Sequence, residues 1–461
     1  MRDLIRQFKL ILYHFDEKKI TFAILIYFAT ALSLRAQNTR TNDTTQNFTL
    51  QQCVDYALQH QPGLQQAIVN VSIARATNAI NLAAWLPQVS AAGSFSHYLE
   101  LPTTYVTTAA GGAPVRQQSG VSNSFAPGVT ASQALFSPNL LFIARSAPLY
   151  IKEAKQVTDS TKINVVATVS KSFYNLLLTL EQINVLKEDT ARLGKNVRDA
   201  YHQYVGGIVD ETDYEQATIT LSNSKVQLKQ ATENVVPQYA TLKQLMGYQP
   251  EKQFNVNFDT LKMIQNINMD TTQQLQYEKR IEYQVLNTER SIQNQNINYY
   301  RFSFLPSLSA FYNYNLAFYN NSFSNLFSTS YPNSSVGLSI SVPIFTGFAR
   351  LQSVRRAKLQ QQQLNLTEVN LKSQIYTEYT TALANYKSDL YNLHELQKNV
   401  NLAKRVYFVV DLQYKQGVVA YLNVITAESN LITSEIGYIN ALFQLLSSKI
   451  DLQKAMGNIS Y

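Results

Sequence analysis

The chain has 461 residues, of which 45% are apolar and 15% charged, and it carries one cysteine and a formal net charge of +8. A single cysteine excludes a fold held together by intrachain disulfides. The positive charge is spread along the chain, with no basic run after the N-terminal region beyond Arg355-Arg356. This distribution argues against a nucleic-acid-binding protein.

The first 36 residues are predicted to be an export signal, removed before Gln37. Lys18 and Lys19 precede an apolar run from Ile20 to Leu34, which is followed by a small-residue cleavage site at Ala36. The run is shorter than the roughly 20 residues of a membrane-spanning helix, and an uncleaved anchor is the alternative interpretation. No later stretch resembles an apolar membrane span, so we expect any membrane crossing to be made by strands closed into a barrel.

The rest of the sequence is a tandem duplication centred on two helical hairpin tips. Each tip is a glycine-containing break between two helical patterns, and the two copies share one offset of 210 residues. The matching pairs are Tyr204 with Tyr414, Gly207 with Gly417, Val209 with Val419, Ala217 with Ala427, Leu221 with Leu431 and Ser224 with Ser434. The duplication predicts one unit built of two similar halves.

Long amphipathic helices are predicted to lead into each tip, over about 138–204 and 347–414. Their apolar residues recur at steps of three and four, which is the coiled-coil seam pattern. Each returning helix ends at a Met-Gly pair, at Gly247 and at Gly457, as expected of a left-handed helix stop. Pro148 and Pro237 fall inside predicted helices and are expected to kink or reset them.

Each repeat also contains two strand patterns, at about 88–100 and 122–136 in the first repeat and 307–319 and 334–345 in the second. Apolar residues alternate with polar ones, and aromatic residues gather towards the outer ends, as in transmembrane barrels. A soluble sandwich is the alternative interpretation of each strand taken alone. Four strands cannot close a barrel of at least about 8 strands, so we expect a cyclic homo-oligomer of two or three copies.

The predicted fold is therefore mainly α-helical with a transmembrane β part, each repeat running helix, strand, strand, long helix, tip, helix. The predicted segments are the signal at 1–36, the first repeat at 37–250, an inter-repeat segment at 251–270 packed outside the helices, and the second repeat at 271–461.

No chemistry-bearing constellation stands out in the sequence. The five histidines are scattered, and there is no phosphate-binding glycine loop or nucleophile elbow. We therefore expect no catalytic residues, no cofactor and no metal site. Asp210, Glu211, Asp213 and Glu215 form the densest acidic group, at the first tip. They are interpreted either as a solvated helix start or as a ring of acids around a pore entrance.

Several motifs resemble those of TolC-type outer-membrane efflux channels, the outer membrane factor family. They are the opening helix Leu50–Leu58 before Pro62, the Leu-Pro pairs at Leu86-Pro87 and Leu305-Pro306, the pairs Leu135-Phe136 and Ile344-Phe345, and above all the second tip from Tyr414 to Ala427. The resemblance covers nearly all of the mature sequence.

The resemblance implies a homotrimer whose 12-stranded barrel lies in the lipid of the outer membrane of a Gram-negative bacterium and continues as a helical barrel across the periplasm. It implies a passive duct of a tripartite efflux or type I secretion system. The tips would meet a periplasmic adaptor, or membrane fusion, protein. That adaptor would couple the channel to an inner-membrane pump of RND or ABC type, and no nucleic-acid partner is implied.

Carried onto this sequence, the resemblance implies adaptor contacts at Gly206, Gly207, Ile208 and Val209, and at Gly417, Val418 and Val419. The family's founding member closes its entrance with carboxylates. Asp213 keeps one of these, whereas Asn423 and Thr426 replace the two acids of the second repeat. An acidic ring here must come from Asp210, Glu211 or Asp213.

Three other classes of protein are alternatives to a channel. A periplasmic coiled-coil adaptor would require the strands to form a separate small domain. A substrate-specific porin would require more strands and no long helices. An enzyme would require a convergent catalytic set.

Overall fold

The computed structural model describes residues 46–107, 114–257 and 267–461, so the predicted export signal lies outside the described residues. It divides into two units. The smaller one contains, among the described residues, 46–47 and 253–255. Most of these residues lie in two short strands that pair as a sheet, Gln46–Phe48 and Phe254–Val256. The larger unit holds residues 48–252 and 256–461 and contains the two repeats.

The first repeat follows the expected order of elements, with one additional hairpin. In chain order its elements are β1 (Gln46–Phe48), α1 (Leu50–His60), α2 (Pro62–Leu82), β2 (Gln88–His97), β3 (Thr103–Val106), β4 (Val115–Gln118), β5 (Asn123–Phe136), α3 (Pro138–Val205) and α4 (Glu211–Met246).

The second repeat has the same order of long strands and long helices, but among its described residues it has neither the additional hairpin nor a counterpart of α1. Its elements are β6 (Phe254–Val256), α5 (Ile281–Phe302), β7 (Ser307–Asn320), β8 (Ser330–Ser341), α6 (Ala349–Lys415) and α7 (Tyr421–Ala455). Single 3₁₀ turns lie at Ala83–Trp85, Tyr277–Lys279 and Phe323–Asn325.

Local sequence explains where the helices begin. Thr49 caps α1 through a capping box with Gln52, in which each side chain accepts a hydrogen bond from the other residue's backbone amide. Pro62 opens α2 and Pro138 opens α3, where a missing amide hydrogen is harmless. α3 and α4 continue through Pro148 and Pro237, so neither proline resets its helix. A kink at either proline stays a prediction.

The two long helices set the scale of the fold. α3 has 68 residues and α6 has 67, which corresponds to roughly 100 Å each at 1.5 Å per residue. Within each repeat the long helix packs along the returning helix, α3 along α4 and α6 along α7. α3 also packs against α2, α5 and α7, so it joins the two repeats.

α3 contains an 18-residue window that is apolar enough to cross a membrane by length and composition, contrary to our expectation for the sequence after the signal. Of that window, 61% is buried inside the fold. The window includes Phe173, Leu176 and Leu177, whose side chains are fully buried. Its apolar character therefore reflects packing in the core.

The four long strands form one antiparallel sheet in the order β2-β5-β7-β8. The two repeats meet at its centre, where β5 pairs with β7, for example Val129 opposite Tyr314. β2 and β8 are the edges. Both edges carry exposed apolar side chains, such as Val89 on β2 and Leu338 on β8.

The pairing register separates an apolar face of the sheet from a polar face. Opposite pairs on the apolar face include Leu308 with Ile340, Ala310 with Leu338 and Tyr312 with Val336. Opposite pairs on the polar face include Ser309 with Ser339, Asn313 with Ser335 and Asn315 with Asn333. The sequences of the four strands contain no Asp, Glu, Lys or Arg. The polar face is therefore hydrophilic and uncharged.

The strand bounds differ from the predicted ones at the ends next to the outer loops and at the C-terminal end of β8. β8 begins at Ser330 and ends at Ser341 instead of covering 334–345; Pro343 has no amide hydrogen with which to continue the ladder. β2 ends at His97, where the ring Nδ1 lies 2.8 Å from Oδ1 of Asn123. The predicted loop after it contains the β3–β4 hairpin, with Thr103 opposite Gln118.

The predicted inter-repeat segment lies partly outside the described residues, which omit 258–266. Its described end is attached to α6 by the buried hydroxyl of Tyr386. That hydroxyl donates to the carbonyl oxygen of Ile267 at 2.9 Å and accepts from the amide of Met269 at 2.9 Å. Cys53, the single cysteine, is fully buried on α1, as expected of a packing residue.

Candidate functional site: the paired helical tips

The first tip is a tight turn between α3 and α4. α3 ends at Val205, Gly206 stays near helical geometry, and Gly207 takes the left-handed conformation with φ of 67°. The amide of Gly207 donates to the carbonyl of Tyr204, and that of Ile208 donates to Gln203, both at 2.9 Å. These bonds satisfy carbonyls that the end of a helix leaves without partners.

The second tip has the same geometry, 210 residues later. Gly417 has φ of 72°, its amide donates to Tyr414 at 2.8 Å, and the amide of Val418 donates to Gln413 at 2.9 Å. A Cβ on Gly207 or Gly417 would meet nothing within 4 Å. Glycine is therefore required by the backbone conformation and not by crowding.

Both tips present apolar side chains to solvent. Ile208 is 74% exposed and Val418 is 69% exposed, while the matching pair Val209 and Val419 is half-buried. Gly206, Gly207 and Gly417 are exposed. All seven residues predicted to contact an adaptor therefore lie on two equivalent turns, and the outermost side chains are aliphatic.

The predicted gate acids lie at the start of α4. Asp210 precedes the helix, and Glu211 and Asp213 occupy its first turn, where the helix dipole stabilises negative charge. Asp210 and Glu211 are exposed and Asp213 is half-buried. Burial, and next the neighbouring Asp210 carboxylate, raise the pKa of Asp213 above its ordinary value. Asn423 and Thr426 are exposed at the equivalent start of α7.

Behind the turns, the two hairpins share an apolar core. Its fully buried residues are Ala200, Ala217, Tyr421 and Val424. The rings of Tyr414 and Tyr421 lie 5.2 Å apart, and the Tyr414 hydroxyl donates to Oε1 of Gln203 on the other hairpin. Burial, with smaller contributions from Asp213 and Asp199, raises the pKa of Tyr414 to about 12. The tips of the two repeats are thus held side by side.

Deeper along the helices, a cluster of side chains around Arg192 joins all four helices of the two hairpins. Its guanidinium donates to Asp189 on α3 at 2.9 Å and to Glu428 on α7 at 2.8 Å. It also lies 5.3 Å from the ring centroid of Tyr407 on α6. Ser224 on α4 donates to the other oxygen of Asp189 at 2.7 Å. We call Arg192, Asp189, Glu428, Ser224 and Tyr407 the four-helix charge cluster.

The cluster holds two carboxylates against one cation in a buried setting. The Asp189 and Glu428 side chains are each 1% exposed and that of Arg192 is 25% exposed. Burial raises the pKa of both carboxyls, and the hydrogen bonds from Ser224 to Asp189 and from Arg192 to Glu428 only partly offset it. Although burial lowers the pKa of Arg192, the two carboxylates together raise it above its ordinary value.

Sequence analysis missed this cluster, although one signal was present. Glu428 stands beside the apolar stripe of α7 formed by Tyr421, Val424 and Leu431, where a carboxylate is unexpected. Its partner Arg192 lies 236 residues earlier, so the sequence alone does not pair them. In the part of the chain that the structure describes, no group of three or more His, Cys, Asp or Glu side chains is placed to hold a metal ion.

A family model described as outer membrane efflux protein matches residues 53–248 and 280–458, which is most of the chain. The chain belongs to the outer membrane efflux protein family. The two matched ranges coincide with the two repeats and leave out the inter-repeat segment. The member described here is thus an outer-membrane channel protein of a Gram-negative bacterium, with a large periplasmic helical part, and its relatives are channels rather than enzymes.

Solved structures of outer-membrane channels share the fold. Structures of CusC, whose conformational changes accompany folding and transmembrane channel formation, match with a TM-score of 0.73 and 19% identity over 92% of this chain and 95% of that chain. The Campylobacter jejuni CmeC outer membrane channel matches with a TM-score of 0.69 and 21% identity, over 89% of this chain and 85% of that chain.

The open state of the Neisseria gonorrhoeae MtrE outer membrane channel also matches, with a TM-score of 0.68, 20% identity and 88% of each chain covered. A comparison with curated proteins found no match. The family membership favours the channel over the adaptor interpretation. The structure agrees with this, since the four long strands form one sheet that leads directly into the long helices. It also argues against a porin, because the long helices are present.

Proposed function

We propose that three copies of this chain form the exit duct of a tripartite efflux or type I secretion system. Each copy contributes four strands to a 12-stranded barrel in the outer membrane, and the helices continue the duct through the periplasm. A periplasmic adaptor protein binds the tips and connects the duct to an inner-membrane pump of RND or ABC type. The duct itself is passive.

The four-stranded sheet carries this proposal. It has an apolar and a polar face, as the wall of a water-filled barrel requires, but each copy supplies only half of the smallest such barrel. Its edge strands β2 and β8 expose unpaired backbone groups, which are not tolerated in lipid unless they are paired. Joining β8 of one copy to β2 of the next removes both edges by cyclic symmetry.

The tips support the adaptor contact. They are equivalent in the two repeats, so three chains present six similar turns to a partner. Exposed Ile208 and Val418 provide apolar anchors, and the exposed acids Asp210 and Glu211 lie next to the first of them. Three copies of Asp210, Glu211 and Asp213 form an acidic ring at the entrance in this arrangement, with Asn423 and Thr426 as its uncharged counterparts.

The direct test is the protein mass of the particle extracted by detergent from outer-membrane fractions, measured by multi-angle light scattering with the detergent contribution subtracted. We expect three chains per particle. A monomer, or recovery from the soluble fraction without detergent, would overturn the proposed function. The control variant is Lys398→Met, which removes an exposed ion pair with Glu395 within α6. It is expected to leave the mass of the particle unchanged.

A further inference from the structure

The polar face of the sheet carries one large apolar side chain in its middle, that of Phe311. The other residues of this face on the four strands are Ser, Thr, Asn, Gln, Ala or Gly, apart from Tyr319 and Tyr331 at the end next to the outer loops. In the proposed duct this face lines the water-filled interior. An aromatic ring projecting there would form an apolar constriction.

Phe311 does not project, because its ring lies against Gly337 on the neighbouring strand. The two residues are directly opposite in the β7–β8 register. A Cβ built on Gly337 would lie 2.5 Å from Cζ and 2.9 Å from Cε1 of Phe311, so the ring occupies the volume where a side chain would begin. Along β8, which the structure describes in full, Gly337 is the one residue that is not exposed.

The same arrangement occurs once more on this face. Asn315, four residues along β7, lies directly opposite Gly128 on β5, and its side-chain oxygen lies too close to the Cβ position of that glycine to leave room for a side chain. The Phe311 side chain of β7 therefore lies over β8, and the Asn315 side chain of β7 lies over β5. Glycine in a strand interior weakens the strand, and here each glycine makes room for a larger neighbour to lie flat.

From this geometry we propose that Gly337 is a notch in the channel wall that holds Phe311 flat and thereby sets the bore of the barrel. The inference rests on the proposed function. Barrels of eight strands are filled by their own side chains, whereas those of 16–18 strands leave a wide channel. A 12-stranded barrel lies between these limits, so the position of three symmetry-related rings strongly affects its bore.

The notch also indicates which solutes the barrel section discriminates. Its lining has hydroxyl and amide groups but no charge, so it does not select ions by sign. It selects by size, at the level of Phe311. Solutes are discriminated by charge at the acidic tips, which lie at the opposite end of the long helices.

The test is the size of neutral polymer that enters the pore from the barrel side, measured as the loss of single-channel conductance when polyethylene glycols of graded mass are added to that side of a planar bilayer. This readout reports the barrel section separately from the tips. Gly337→Ala is expected to displace the ring and shift the cut-off to smaller polymers. Phe311→Ala is expected to shift it to larger ones.

The double variant Gly337→Ala/Phe311→Ala is the decisive measurement, because without the ring the added methyl group has nothing to displace. We expect it to have the cut-off of Phe311→Ala alone. The matched control is Gly93→Ala on the apolar face, where the nearest ring atom of Phe125 is 3.6 Å from the new Cβ, an ordinary contact. It is expected to leave the cut-off unchanged.

The notch would be overturned if Gly337→Ala had the wild-type cut-off. It would also be overturned if the double variant had a smaller cut-off than Phe311→Ala alone. Only inserted, conducting channels are counted, so a lower yield of a variant does not affect the result. A wild-type protein that forms trimers and conducts but shows no notch effect leaves the proposed function standing. Wild-type particles that are monomeric and do not conduct would instead overturn the proposed function.

Discussion

We expect the loss of Arg192 to destabilise the helical part, because its guanidinium is the cation beside two carboxylates whose side chains are each 1% exposed. Replacing it by Met removes the cation and leaves Asp189 and Glu428 buried without a charged partner. Breaking a buried pair in this way typically costs about 3–5 kcal/mol, and we expect the lower end, about 3 kcal/mol, because Arg192 is partly exposed.

The measurement for Arg192→Met is thermal unfolding of the detergent-solubilised protein, followed by circular dichroism at pH 7.5. The control is Lys398→Met, which removes the exposed ion pair with Glu395 and should cost at most about 1 kcal/mol. Equal melting temperatures for the two variants would show that the four-helix charge cluster contributes no more than a surface pair.

The same variant should depend on pH in a defined direction. The folded-state pKa values of Asp189 and Glu428 are raised, and removing the cation raises them further. A carboxyl of this kind favours folding when protonated. Its contribution is full below the unfolded pKa of about 4 and is lost as the pH rises through the folded pKa. The deficit of Arg192→Met should therefore be smaller at pH 5 than at pH 7.5.

Among the elements, the glycines that end the returning helices are expected to be more sensitive to substitution than those at the tips. Gly247 and Gly207 have nearly the same left-handed φ, 69° and 67°. A Cβ on Gly247 would lie 2.5 Å from the carbonyl oxygen of His60, whereas one on Gly207 would meet nothing within 4 Å. Gly247 is thus packed backbone to backbone against the end of α1.

We therefore predict that Gly247→Ala destabilises the protein more than Gly207→Ala. Both variants incur the roughly 1–2 kcal/mol that an L-residue costs in the left-handed region, and only the first adds a clash with backbone. Gly457→Ala, whose Cβ would lie 2.8 Å from the carbonyl oxygen of Lys279, should behave like Gly247→Ala. Melting temperatures measured side by side decide this, and indistinguishable values would contradict it.

At the tips, charge can be separated from conformation by comparing two substitutions. Asn tolerates the left-handed region better than other side chains do, and Asp has nearly the same shape with a negative charge. We expect Gly417→Asp to lose more adaptor binding than Gly417→Asn, because it adds charge among the exposed aliphatic residues. Co-purification with the adaptor after crosslinking in cells measures the difference, and equal losses would indicate that backbone strain alone is responsible.

The elements that the sequence predicts well are those defined by local pattern. Helical periodicity and the 210-residue offset located both tips, since each turn is formed by its own few residues. The β3–β4 hairpin was missed because its loop is rich in Thr, Ser and Gly and shows no strand alternation. Neither the pairing of Arg192 with Glu428 nor the position of Phe311 over Gly337 could be predicted, since both depend on which distant segments become neighbours.

For the whole molecule, the orientation of the sheet faces is the property on which the channel depends, and two adjacent residues of β8 can test it. Leu338 lies on the apolar face opposite Ala310, and Ser339 lies on the polar face opposite Ser309. In a membrane-embedded barrel, Leu338→Lys places an ammonium group against lipid, at a cost of up to about 2–4 kcal/mol per chain near the bilayer midplane. Ser339→Lys places it in the water-filled interior, at little cost.

We therefore expect Leu338→Lys to reduce the amount of trimer recovered from the outer-membrane fraction, while Ser339→Lys is recovered at the wild-type level. The two variants add the same charge to the same strand, so effects on expression and export are matched. Three copies per trimer multiply the cost of Leu338→Lys, which makes the difference readily measurable by sucrose-gradient fractionation and immunoblotting. The reverse order of recovery would mean that the polar face meets lipid, which is incompatible with a water-filled duct.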